Sequence, residues 1–133
     1  MTNITSNLND YLIKNVFGEE VDVIYNDLFP SDEGDCLISR YEPGTAKETE
    51  FIDGSAEGSV SIGYYMRSTD GEKARSYCDI IIEAVDGLSY KDEKGTETRF
   101  EAITTPSFVS EDDKHQVVYT CTINAKYNRK GDL

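Results

Sequence analysis

Basic residues, histidine, tryptophan and closely spaced cysteines are all scarce in this 133-residue chain, and each scarcity removes a class of function. Thirteen Lys and Arg stand against 26 Asp and Glu, a net charge of −13. That balance argues against binding DNA phosphates, where a basic patch supplies most of the affinity. The single histidine, His115, lies in the turn-like run EDDKHQ and reads as a surface residue ahead of a strand. No G-x-S-x-G elbow accompanies it, so a Ser-His-Asp hydrolase has no support. Tryptophan is absent, whereas a glycosidase normally offers aromatic sugar platforms.

Cys36, Cys78 and Cys121 lie more than forty positions apart, without a CxxC pair, each among apolar residues. They read as buried, unpaired small hydrophobes, and with one histidine they give no zinc spacing. DLFPSDEGD lacks the alternating oxygen ligands of a calcium loop, and Gly54, Gly58 and Gly63 are followed by no Gly-Lys-Ser/Thr phosphate loop. No metal and no cofactor is expected, and no catalytic residue. Long hydrophobic runs are missing too: nothing approaches the eighteen apolar residues of a membrane span, and MTNITSNLNDYL has neither a basic n-region nor an apolar h-region. With an odd cysteine count, a single soluble domain over 1–133 in a reducing cytoplasm is the expectation.

What is present is periodicity. Ile4, Leu8, Leu12 and Val16 recur every four residues and predict a helix ended by Gly18. GEEVDVIYND and CLISRYEP then switch to period two and predict a strand pair. Pro43 to Gly58 shows no period, only Gly, Ser, Thr and acids, and is expected to be a long irregular connection. Residues 59–67 alternate as a third strand. Thr69-Asp70-Gly71-Glu72 fits a capping box opening a second helix through Ala74, Tyr77, Cys78, Ile81, Ile82 and Val85, with Gly87 as left-handed cap. TRFEAITT and the long VVYTCTINAKY close the chain as two strands, with PSFVSEDDKHQ between them. No internal repeat is evident. The order α-β-β-β-α-β-β predicts an α+β fold, an antiparallel sheet of about five strands with both helices on one face. Eleven residues at Val117–Tyr127 would span roughly 36 Å, long for a strand, so the sheet should be broad and its polar face free to serve a partner.

Two stretches are candidate interfaces. Phe51 and Ile52 form an apolar pair among Glu48, Glu50 and Asp53, with no period tying them to the core. The segment is expected to be mobile in the free subunit and to order against a neighbour. The second candidate is the polar face of the final strand, Thr120, Thr122 and Asn124.

The order of elements, the helix opening STDGEKARSYCDIIIEAVDGL and the closing TPSFVSEDDKHQVVYTCTINAKY resemble the minor capsid and tail-terminator family of long-tailed bacteriophages of Gram-positive hosts. The likeness runs from Leu8 to Tyr127 and is most telling at Thr105-Pro106, the acidic turn and the long last strand. The resemblance implies a non-enzymatic structural virion protein, located at the neck and assembled in the host cytoplasm. Six copies would close a ring on the last ring of the tail tube, stop its growth and meet the head connector protein. Because ordering the 48–53 segment costs entropy, the free subunit is expected to be monomeric and to form rings at high concentration or on its partner; no cofactor, membrane or specific nucleic-acid binding is expected. An acidic DNA-mimic inhibitor and a small-ligand-binding α+β protein are the rival expectations.

Overall fold

The computed structural model describes residues 4–21, 23–31, 34–42 and 47–129. Helix α1 (Ile4–Leu12) continues as a π-helical stretch, Ile13–Phe17, and stops at Gly18, whose φ of +58° suits glycine. There follow β1 (Tyr25–Asn26), β2 (Cys36–Tyr41), β3 (Lys47–Glu50), β4 (Ala56–Ser68), α2 (Gly71–Val85), β5 (Ser89–Lys91), β6 (Glu97–Ala102), β7 (Ser107–Glu111) and β8 (Val117–Arg129). The α+β content agrees with the periodicity, but eight strands replace the expected five. GEEVDVIYND contributes only the two residues of β1, and they run parallel to β2. The supposedly irregular 43–58 segment contains β3 and the start of β4, with Pro43–Ala46 outside the described residues. PSFVSEDDKHQ contains β7.

The sheet has the order β1-β2-β4-β8-β6-β5, with β3 on the same edge of β4 as β2, and β7 on the same edge of β8 as β6. That order reads alike from either side, contrary to the expectation of no repeat. A shift of 61 positions carries Cys36–Tyr41 onto Glu97–Ala102, Lys47–Glu50 into Ser107–Glu111, and Ala56–Ser68 onto Val117–Arg129. Backbone bonds follow the same shift. Glu42 N–H donates to the Ser61 carbonyl as Ile103 N–H does to Thr122, at 2.9 and 3.0 Å. Ile62 pairs with Ile123 at the midpoint of the antiparallel β4–β8 ladder, where a local two-fold axis relates the halves. The short flanking strands depart from it, since β1 is parallel to its neighbour and β5 antiparallel.

Alternation along the two long strands makes one face apolar. Val60, Ile62, Tyr64 and Met66 of β4 share a single core with Cys121, Ile123, Ala125 and Tyr127 of β8, and with Leu8 and Leu12 of α1 and Ile81 and Val85 of α2. Large side chains face small ones across the ladder: Tyr64 opposite Cys121, Tyr127 opposite Gly58. Each fully buried large apolar side chain contributes roughly 1.5–3 kcal/mol. Beneath α1 Asn9 is satisfied on both sides, donating to Ser39 Oγ at 2.8 Å and accepting from the Tyr64 hydroxyl at 2.7 Å.

Two local expectations are corrected. The cap of α2 is Asp70, whose carboxylate accepts from the Glu72 and Lys73 backbone N–H groups, so Glu72 is too close to the start to close a Thr69 capping box. Gly87 does take the left-handed φ of +82°. Cys78 and Cys121 are fully buried, and the Cys121 thiol is pushed up by its hydrogen bond with Cys78 and by burial. Cys36 is only half-buried, because it opens β2 on the opposite face of the sheet.

Candidate interaction surfaces

The face away from the helices is polar. Thr120, Thr122 and Asn124 lie on it, half-buried, opposite Tyr65, Gly63 and Ser61 of β4. Small residues at the centre are needed where side chains cross the sheet. The Glu42 carboxylate lies over Gly63, where a Cβ would collide with it. Glu42 accepts from the Tyr65 hydroxyl at 2.6 Å, and Arg40 donates to the same hydroxyl at 2.9 Å while stacking over the Tyr65 ring at 4.5 Å. Burial, then the Glu42 charge, raises the Tyr65 phenol above its ordinary pKa, so it stays a hydrogen-bond donor.

The other predicted set lies at the tip of the β3–β4 hairpin. Glu48 accepts from the Tyr127 hydroxyl at 3.2 Å, and Arg129 reaches Glu48 at 3.4 Å and Glu50 at 3.3 Å. Beyond them Phe51 is 48% exposed and Ile52 wholly exposed. The segment is therefore a strand ladder closed by a turn, in place of the expected irregular connection. The structure does not merge the two predicted patches. Thr120 pairs with Tyr65, nine residues along β4 from Ala56, roughly 30 Å away at 3.3 Å per residue.

The tip has two sister turns in the same chain. In Phe51–Ser55, Asp92–Thr96 and Asp112–Gln116 the first N–H donates to the fifth carbonyl, and the fourth N–H to the first carbonyl, all at 2.8–3.1 Å. The fourth residue has positive φ each time: Gly54 at 85°, Gly95 at 84°, His115 at 61°. In the two sister turns an aspartate at the first position accepts from two backbone N–H groups, those of Lys94 and Thr96 or of Lys114 and Gln116. Phe51 occupies that position in the third and offers no acceptor. Asp53 substitutes in part by accepting from Ser55 N–H. Phe51 is thus the residue that the turn itself favours least, and the same backbone closes readily without an apolar pair.

A third surface was not singled out from sequence. At the end of the sheet where β8 finishes, Tyr90, Lys91, Glu97, Arg99, Lys126 and Asn128 line a groove of about 440 Å³. Three bases against Glu97 and the adjoining Glu101 leave it weakly positive in an acidic chain. Lys91 lies 3.8 Å from Glu97 and Lys126 3.8 Å from Glu101, at exposed positions, and Arg99 has no hydrogen bond or ion pair among the described residues. Lys91, Arg99 and Lys126 are dispersed over 36 positions of sequence, and only the β5–β6–β8 register brings them together.

Among the described residues no three His, Cys, Asp or Glu side chains converge as a metal site requires, and no helix is long and apolar enough to cross a membrane. Neither models of known protein families nor curated protein sequences give a match to this chain.

Proposed function

We propose that the chain is a structural virion protein that closes into a ring of six at the end of a phage tail tube, terminates tube growth and joins tail to head. The observation that carries an assembly role is the fully exposed Ile52 beside the half-exposed Phe51, on a turn whose two sister copies are capped by aspartate. A fold gains nothing from exposing that pair, so its stabilising contact lies in another molecule. The sequence resemblance supplies the phage context: partners are further copies of the chain, the tail tube protein and the head connector protein, at the virion neck after assembly in the host cytoplasm. A net charge of −13 suits a ring through which DNA passes, because like charge discourages adhesion to it. No catalysis and no cofactor enter this role.

The test is the mass of the protein in solution over a range of concentrations, alone and with a tail tube protein from the same genome. A species of about six copies is expected for the unaltered chain. The double variant Phe51→Ser, Ile52→Ser should keep its melting temperature and remain monomeric. A chain that stays monomeric under every one of these conditions overturns the proposal, and so does a double variant that still assembles into the ring.

A further inference from the structure

The basic groove and the acidic tip occupy opposite edges of one sheet at the same height. Thr49, Glu57, Asn128, Glu97 and Lys91 form one row across β3, β4, β8, β6 and β5 by strand register. Four strand spacings separate β3 from β5, roughly 19 Å; within one chain Phe51 borders a hollow with Gly95, Glu97 and Asn128, whereas Lys91, Arg99 and Lys126 lie outside it. A second copy placed side by side can reach them.

We infer that the groove lined by Lys91, Arg99 and Lys126 receives the β3–β4 tip of a second copy, Phe51 and Ile52 included. The pairing presupposes the ring assembly proposed above and names its two surfaces. Charge selects the occupant. The tip carries Glu48, Glu50 and Asp53 against Lys47 and Arg129, and the groove carries three bases against Glu97 and the neighbouring Glu101. Opposite fields meet in that orientation, whereas tip against tip sets acid against acid. Tyr90, 40% exposed, adds an apolar rim at the β5 edge, on the sheet face opposite to the three bases. Shape agrees as well. At the end where β8 finishes, one side of β8 extends by two strands, β6 and β5, while β4 on its other side extends by β3 alone; at the opposite end β8 extends by β7 alone and β4 by β2 and β1. Copies laid side by side therefore bring a two-strand step against a one-strand step at both ends. Contact between two different patches is head-to-tail, the type of contact that closes a ring.

Cross-linking tests the pairing. In a Cys36→Ser background, Ile52→Cys and Lys91→Cys are made as separate single variants, oxidised alone and as a mixture, and resolved by mass. The mixture should give disulfide-linked dimers and each variant alone should not. Arg99→Glu, at an exposed side chain with no partner among the described residues, should raise the concentration for half-assembly about tenfold or more while leaving the melting temperature unchanged. Ile52→Cys linking to itself would replace the pairing with a tip-to-tip contact. Rings that form normally without the mixed cross-link, and with Arg99→Glu, overturn the pairing and leave the ring proposal standing. A chain that is monomeric throughout and never cross-links removes both.

Discussion

The turns Phe51–Ser55 and Asp112–Gln116 sit at equivalent places in the two halves and share both backbone hydrogen bonds, yet one ends in an exposed aromatic and aliphatic pair and the other in charged residues. Because the backbone is held constant, the difference isolates what folding asks of the turn from what something else asks. Folding asks for a residue with positive φ at the fourth place and favours an acceptor at the first. Asp112 supplies the acceptor. Phe51 does not, and the assembly contact proposed above would account for it. His115 shows the opposite imbalance: its turn is capped well, but a non-glycine residue bears a φ of 61°.

The comparison between halves breaks most visibly at its centre. Ile62→Ala and Ile123→Ala each empty a fully buried site on the local two-fold axis and should destabilise by about 2–5 kcal/mol, read from urea unfolding. Near-equal losses mean that both halves bear on the axis alike. The double variant should fall short of the sum, because the two side chains are cross-strand neighbours. Next in size, Asp70→Ala removes the cap of α2, which belongs to only one half, and should cost about 1 kcal/mol in thermal or chemical unfolding. His115→Gly brings the second turn to the glycine of its sisters and should gain about 1 kcal/mol. Phe51→Asp makes the first turn resemble the other two. A small rise in melting temperature together with weaker assembly is the expected result, and a clear fall would mean that Phe51 is held by the fold.

The smallest effect concerns acid. The Asp112 carboxyl is held below the ordinary aspartate range by hydrogen bonds from the Gln116 backbone first, and Asp53 by its bonds from Ser55. A depressed folded pKa means stability that is present above the unfolded aspartate pKa and lost as pH falls through the lower folded value. Carboxyl chemical shifts followed by NMR should show both groups titrating below free aspartate. Ordinary titration at Asp112 would contradict the capping role assigned to it.

Legibility in sequence tracked burial on one side. α2, β4 and β8 were readable because each presents a regular apolar row to the core, and Gly18 and Gly87 marked helix ends as expected. β3 and β7 were not, since KETE and SFVSE lie at the margins of the sheet, where no core faces them and no alternation is enforced. Their strand character comes from the ladders that β4 and β8 offer. The repeat was hidden for a related reason. What the halves share is spacing and backbone bonding, while identical residues are few, Ile62 with Ile123 and Glu50 with Glu111 among them. Related core positions carry different side chains, Tyr64 with Ala125 and Val60 with Cys121. Of the candidate site, the tip was legible as an apolar pair without a period. The groove was not, because its bases are joined by register alone.

The central ladder also sets a timetable for synthesis. β4 and β8 lie 61 positions apart, and at about 5–20 residues per second β4 leaves the ribosome roughly three to twelve seconds before its partner. Throughout that interval Val60, Ile62 and Tyr64 belong to a half sheet whose inner edge has unpaired N–H and C=O groups along thirteen residues. The nascent first half is therefore the form most exposed to wrong strand pairing, and a message cut short before β8 would release it in that state. Its related half arrives last, and with it the strand that seals the edge.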